Sequence, residues 1–214
     1  MPAWGIVVAA GSGARFGSAK QFATVRGERL VDRAVVSTGS VCDHVVVVLP
    51  PGEVWSGPAV TATVPGGATR SDSVRAGLAA VGDDADVIVV HDAARPLAPP
   101  SLFEAVVAAV RAGADAAVPA VAVADTVKRV EGRRVVETVP RDELVAVQTP
   151  QAFRAATLRA AHAACDDATD DAALVEAAGG VVVVVPGDRR NLKVTDADDL
   201  RIADALADSE AGTR

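Results

Sequence analysis

Residues 4–21 read Trp4-Gly5-Ile6-Val7-Val8-Ala9-Ala10-Gly11-Ser12-Gly13-Ala14-Arg15-Phe16-Gly17-Ser18-Ala19-Lys20-Gln21, an apolar run that breaks directly into a glycine-rich turn with two cations. A short run that is apolar on both faces marks a parallel strand covered by helices on both sides. The glycines behind it let backbone N–H groups approach an anion with no Cβ in the way. Arg15 and Lys20 add fixed positive charge, which suits a polyphosphate. A Walker loop is excluded, because no Gly-Lys-Ser/Thr follows the glycines. A dinucleotide fingerprint fits poorly, because the spacing is G-x-G-x-x-x-G and two cations crowd the turn.

The same texture continues outward. Strand-like runs at Trp4–Ala9, His44–Leu49, Val60–Val64, Asp86–Val90, Ala116–Val123 and Val181–Val185 alternate with alanine-rich helical stretches. The helices are expected at Leu30–Ser37, Ser71–Val81, Ser101–Ala112, Arg154–Ala164, Asp170–Ala178 and Ala197–Ala207. Ser71, Ser101 and Thr169 are the expected N-caps, and Gly113 and Gly179 the expected stops. Alternation of this kind predicts a three-layer α/β sandwich. The stretch Thr126–Arg141 departs from it, with valines at alternate positions around Glu131-Gly132-Arg133. It reads as a two-stranded hairpin with little apolar mass, which is marginal alone and must pack on something. That support is either the edge of the same sheet or a second subunit.

Composition narrows the function classes. The chain has 214 residues, half of them hydrophobic, which excludes long disorder. A net charge of −7 argues against a sequence-independent grip on nucleic acid. With four Phe, two Trp and no Tyr, base-stacking platforms are also unexpected. The two cysteines, Cys42 and Cys165, form no metal or disulfide spacing, so a reducing compartment is expected. The first residues lack a basic leader pattern, and no apolar stretch reaches the roughly 18 residues of a spanning helix. A soluble cytoplasmic protein without membrane contact is the expectation.

Four further stretches carry chemistry. The run Val89-Val90-His91-Asp92-Ala93-Ala94-Arg95-Pro96 ends a strand at Asp92, where open parallel sheets place their ligands. A carboxylate there either holds Mg²⁺ together with phosphate oxygens or merely caps a turn. Arg95 can clamp a phosphate bidentately. His91, His44 and His162 have no partner at metal-ligand spacing and read as packed or hydrogen-bonded histidines. Pro65-Gly66-Gly67-Ala68-Thr69-Arg70-Ser71-Asp72-Ser73 reads either as a wall for a flat base or as a capped glycine turn. Thr169 reads as an N-cap whose hydroxyl can still reach an anion. The chain has 18 Arg but only three Lys, namely Lys20, Lys128 and Lys193. Retaining Lys in so arginine-rich a sequence suggests sites that need a compact ammonium.

Taken in order, the AAG-x-G-x-R loop, GG-x-x-R-x-x-SV, HDAARP, Asp125-Thr126-Val127-Lys128, Gln148-Thr149-Pro150-Gln151, Thr169-Asp170-Asp171-Ala172 and Asn191-Leu192-Lys193-Val194-Thr195 resemble the 2-C-methyl-D-erythritol 4-phosphate cytidylyltransferase family along essentially the whole chain. The resemblance implies a Rossmann-like single nucleotidyltransferase domain over 1–214, with a mostly parallel sheet and a protruding β-hairpin arm at about 124–143. It implies CTP and a sugar-alcohol phosphate as substrates, and Mg²⁺ as cofactor with Asp92 at the metal. Catalytic roles fall on Arg15, Lys20, Arg141 and Lys193. Ala10, Gly11, Gly13, Lys20, Gly67, Ser73, Asp92 and Ala93 are expected around the nucleotide. Asp92, Arg95, Thr126, Arg141, Thr149, Thr169 and Lys193 are expected around the alcohol phosphate. Thr126 and Arg141 would serve the site of a second subunit, in a homodimer with exchanged arms. Relatives usually have a longer loop with Pro before the lysine, where Ala19 stands here, and often an acidic residue where Ala68 stands. Ribitol 5-phosphate is the rival acceptor at this stage. A silent nucleotide-binding regulator and a dehydrogenase are the rivals from other classes.

Overall fold

The computed structural model describes residues 1–11, 20–164 and 168–211. The elements of the first half are β1 (Ala3–Val8), β2 (Thr24–Val25), β3 (Glu28–Arg29), α1 (Leu30–Gly39), β4 (His44–Leu49), β5 (Ala62–Pro65), α2 (Arg70–Ala79), β6 (Val87–Asp92) and α3 (Pro100–Arg111). Those of the second half are β7 (Ala116–Ala122), β8 (Val127–Glu131), β9 (Arg134–Val139), β10 (Val145–Val147), β11 (Gln151–Arg154), α4 (Ala155–Ala164), α5 (Asp171–Ala177), β12 (Val182–Pro186) and α6 (Ala197–Ala211). The main sheet has eight strands in the order β10-β7-β11-β6-β1-β4-β5, with β12 also paired to β7.

The α/β expectation holds, and the sheet is mostly parallel around β1, which lies between β4 and β6. Side chains alternate across the strands as the pleat requires. Ile6, Val46 and Val48 pack with Val74 and Leu78 of α2 and Leu158 of α4 on one face. Val7, Val45 and Val47 pack with Val31 and Val35 of α1 on the other. On that second face Val87 and Val89 also meet Phe103, Val106 and Val110 of α3. Helices therefore cover both faces at the centre of the sheet, and the valine run of β4 has no solvent side to serve, whereas Val184 of β12 is exposed.

Antiparallel β10 and β11 were not legible as strands. They run from Val145 to Arg154 across β7 and β6 and carry the Gln148-Thr149-Pro150-Gln151 stretch into the sheet. The caps also differ from expectation. Helix α2 starts at Arg70 because Thr69 and Asp72 bond each other's backbone N–H groups reciprocally, so Ser71 is not the cap. Pro99 precedes α3, with Pro100 at its first position, and Asp170 caps α5 in place of Thr169. The stops hold: Gly113 and Gly179 take positive φ values of 121° and 80° just past α3 and α5.

Strands β8 and β9 form a separate two-stranded sheet with a turn at Gly132-Arg133, as the alternating valines predict. The edge-strand alternative for this hairpin is therefore not what forms. Val130, Val135 and Val136 remain exposed on it.

Candidate active site

The parallel strands β1, β5 and β6 all end on one side of the sheet, and the glycine turns follow them there. A cavity of about 420 Å³ opens at these ends, lined by Ala10 and Gly11 after β1, Gly67 and Ser73 around the start of α2, Asp92 and Ala93 after β6, and Lys20 and Lys193. Every described residue expected around the nucleotide is on that list. Gly13 and Arg15 fall outside the described residues.

The two glycine turns are built differently. A Cβ on Gly67 would lie 2.2 Å from Asp72 Cβ, so the close packing of turn on helix requires glycine there. A Cβ on Gly11 would meet nothing within 4 Å among the described residues. No described neighbour demands glycine there by packing, and Gly11 lines the cavity. Ser73 Oγ accepts from Gly67 N–H at 3.2 Å and donates to Thr69 C=O at 3.0 Å, which fixes the turn beside it.

A second cavity of about 210 Å³ adjoins the first, lined by Arg95, Thr149, Thr169, Gln148 and Gln151. Asp92, Lys193 and Arg70 line both cavities and so form the wall between them. Each described residue of the main body expected around the alcohol phosphate therefore lies here. Thr126 and Arg141 line neither cavity. They are exposed at the base of the arm, where Arg141 Nη1 donates to the Ala124 carbonyl.

Asp92 is the pivot of this wall. Lys193 Nζ donates to its Oδ2 at 2.7 Å, and Arg70 Nε to its Oδ1 at 3.2 Å. Burial alone would raise the Asp92 pKa, but Arg70 and Lys193 outweigh it and hold the carboxyl well below the usual carboxylate range. Arg70 also reaches Asp171 with Nη1 at 2.7 Å. Burial opposes its charge, yet the two carboxylates more than compensate and raise its pKa. Arg95 is held by the Asn191 carbonyl at 2.7 Å, with burial lowering its pKa and Asp92 opposing that. Lys20 Nζ donates to the Val194 carbonyl at 3.0 Å, beside Lys193 in sequence. Val194 itself is buried with Leu30, Leu97 and Ala203, so the two lysines are tied to one apolar anchor.

His91 is fully buried and burial pushes its pKa down to about 4, so it is neutral near pH 7. Its Nε2 faces the Arg95 carbonyl at 3.2 Å, an acceptor, so Nε2 carries the proton. Nδ1 then accepts from the Thr149 hydroxyl at 3.1 Å, and that oxygen accepts from Asp92 N–H at 3.0 Å. The expectation of a hydrogen-bonded histidine holds. Its work is to fix Thr149, Asp92 and Arg95 relative to one another.

Among the described residues no three His, Cys, Asp or Glu side chains cluster as a metal site. Among the described residues Asp92 is the one carboxylate on the wall of the larger cavity, and both its oxygens already meet cations. Such a donor set fits Mg²⁺ that takes most of its ligands from phosphates and water, with Asp92 offering one oxygen.

Sequence reasoning missed Arg70, Asp171 and Asn191. All three stand inside motifs named above, and two residues separate Arg70 from Gly67. Asn191 Nδ2 donates to the Thr149 carbonyl at 2.9 Å, clamping the Lys193 loop to the Thr149 loop. No local pattern signals that contact.

Comparison with known proteins agrees with this arrangement. Residues 4–209 match the family model described as IspD: 2-C-methyl-D-erythritol 4-phosphate cytidylyltransferase. The chain is 49% identical over 220 residues to the 2-C-methyl-D-erythritol 4-phosphate cytidylyltransferase of Saccharopolyspora erythraea, covering 94% of this chain and 97% of that protein. It is 47% identical to the bifunctional enzyme IspD/IspF of Clavibacter michiganensis, covering 97% of this chain but only 55% of that longer protein. The crystal structure of the 2-C-methyl-D-erythritol 4-phosphate cytidylyltransferase from Thermus thermophilus superposes with a TM-score of 0.84 at 35% identity, covering 95% of this chain and 98% of that one. With motifs, fold and cavity walls in agreement, the chain belongs to the IspD family of 2-C-methyl-D-erythritol 4-phosphate cytidylyltransferases.

Proposed function

We propose that this chain transfers the cytidylyl group of CTP to 2-C-methyl-D-erythritol 4-phosphate, forming the CDP-alcohol and pyrophosphate for isoprenoid precursor synthesis. The observation that carries this reading is the shared wall: two adjoining cavities meet on Lys193, Asp92 and Arg70. The larger cavity suits a nucleoside triphosphate, with cytosine against Gly67 and Ser73 and phosphates over Ala10, Gly11 and Lys20. The smaller one suits a short polyol phosphate held by Arg95, Thr149 and Thr169.

In the reaction an oxygen of the acceptor's phosphate attacks the α-phosphorus of CTP. The bond from that phosphorus to the bridging oxygen breaks, and its electron pair leaves on pyrophosphate. A phosphate monoester has a second pKa of about 6 and is largely dianionic at neutral pH, so no general base is required. His91, with both ring nitrogens engaged, fits that requirement. The difficulty is repulsion between two polyanions. Catalysis is therefore positioning and charge neutralisation by Lys20, Lys193 and the expected Arg15 and Arg141. Mg²⁺, carried by the triphosphate with one oxygen from Asp92, would supply further neutralisation.

Arg141 and Thr126 line neither cavity of their own chain, so this reading includes a homodimer whose exchanged arms carry them to the site of a second copy. The exposed Val130, Val135, Val136, Val145 and Val147 on and beside the arm support it. We place the single nucleotidyltransferase domain, residues 1–214, in the cytoplasm. That accords with Cys42 being a free, buried thiol. The test is pyrophosphate release from a panel of nucleotides with methylerythritol phosphate and ribitol 5-phosphate. Release with CTP and methylerythritol phosphate is expected. Preference for ribitol 5-phosphate, CTP binding without turnover, or turnover of a nicotinamide cofactor would each overturn it.

A further inference from the structure

The wall between the cavities is held from behind by a chain of polar side chains whose inner members, His162, Asp171 and Arg70, have no role in the reaction as written above. Asp171 has no exposed surface, and a buried carboxylate persists only when paired. His162 Nε2, donating at 2.9 Å, takes Asp171 Oδ1, and Arg70 Nη1 takes Oδ2 at 2.7 Å. Arg70 Nε then takes Asp92 Oδ1, leaving Asp92 Oδ2 aimed at Lys193 Nζ. The chain crosses α4, α5, α2 and β6 before it reaches the Asn191–Thr195 loop, so its inner members cannot move independently.

We propose that Arg70, clamped between Asp92 and the buried Asp171–His162 pair, is a positioning residue that aims Asp92 and through it the Lys193 ammonium at the junction of the two cavities. The terminal torsion of an aspartate is broad and roughly two-fold, so Asp92 alone does not fix where its oxygens point. Lys193 is the exposed end of the chain, with 42% of its side chain accessible, and a four-carbon stem has many rotamers. One guanidinium nitrogen on each carboxylate removes both freedoms together. A lysine at position 70 keeps the charge but has no planar fork to hold two carboxylates at fixed separation. Arg70 thereby does for Lys193 what the buried Val194 does for its backbone.

This inference rests on the transfer reaction proposed above, and the test separates the two. Pyrophosphate release by the parent chain with CTP and methylerythritol phosphate tests the reaction, and its absence overturns that reading and this one with it. With the parent active, Arg70→Lys is expected to lower kcat about 10²-fold, the scale of a small misplacement, with both KM values within about threefold. Its thermal midpoint stays within a few degrees of the parent. The decisive arm is a double-mutant cycle. In a Lys193→Met background, Arg70→Lys costs less than about threefold, because the group it aims is gone. Parental kcat in Arg70→Lys, or losses that multiply in the double variant, overturns the inference. If Arg70→Lys does not fold, Asp171→Asn enters the same cycle, with about tenfold loss alone and no further loss without Lys193.

Discussion

Lys193 and Arg141 are both cations assigned to the same acceptor phosphate, and the chain holds them in opposite ways. Lys193 sits on a nearly buried carboxylate that is itself braced by Arg70 and Asp171. Arg141 lies exposed at the base of a hairpin paired only with itself, and its hydrogen bond goes to the backbone of Ala124. One half of the site is preorganised by this chain's own core, and the other is presented outward. On the dimer reading proposed above, the braced cation would act in cis and the one displayed on the arm in the site of a second copy.

The sharpest way to break that contrast is to remove each cation and mix the products. Lys193→Ala is expected to lower turnover by about 10²–10³, as for loss of one transition-state contact, with the thermal midpoint nearly unchanged. Arg141→Ala falls on the same scale. If arms are exchanged, a mixed dimer of the two variants has one doubly damaged site and one intact site. Random reassociation then makes about half of all dimers mixed, restoring about a quarter of parental activity. Recovery measured by pyrophosphate release after co-refolding checks this. No recovery would place Arg141 in cis and end the contrast.

Acid should damage the braced half before the arm. His91 is buried with a pKa near 4, against about 6.5 unfolded, so as pH falls the unfolded chain takes the proton first. Stability is therefore full above about pH 6.5 and is lost between there and pH 4, by about 3 kcal/mol. Asp92 is depressed too, but its loss begins only below the unfolded carboxylate value near 4. The arm between 124 and 143 contains no histidine. Urea unfolding at stepped pH should show this slope, and His91→Gln should flatten it. An unchanged slope in that variant assigns the proton to another group.

How much of this was legible follows the same division. The sheet was readable because valine runs bounded by glycine turns have few other ways to bury themselves, as at His44–Leu49, where expected and observed ends coincide. The hairpin was readable from its period of two. β10 and β11 were not, because each is only a few residues long around the Gln148-Thr149-Pro150 connection and neither shows a period; pairing with β7 and β6 makes them strands. Lys20, Gly67, Ser73, Asp92, Arg95 and Lys193, which face the cavities, were found because their motifs sit near strand ends. Arg70 was quoted but not assigned, because its role depends on Asp171, which is 101 residues away and contacts it only in the fold. Local text names groups by their own motif; it does not name the long-range partners that hold them in place.

The two glycine turns give the finest version of the comparison, since both are glycine for different reasons. Gly67→Ala puts a Cβ 2.2 Å from Asp72 Cβ, at the helix start fixed by Thr69 and Asp72. Neither atom is the far end of a flexible chain, so the turn must shift, at a cost of about 1–3 kcal/mol. Gly11→Ala meets no atom of the described residues within 4 Å, so its thermal midpoint should match the parent. The added methyl instead occupies the space through which backbone N–H groups approach a phosphate. The KM for CTP should then rise about tenfold or more, the usual scale for one misplaced carbon in a fitted site. Paired thermal melts and CTP titrations read both variants. If Gly11→Ala lost stability and kept its affinity for CTP, the first turn would be packing like the second, and the larger cavity would lose its claim to the triphosphate.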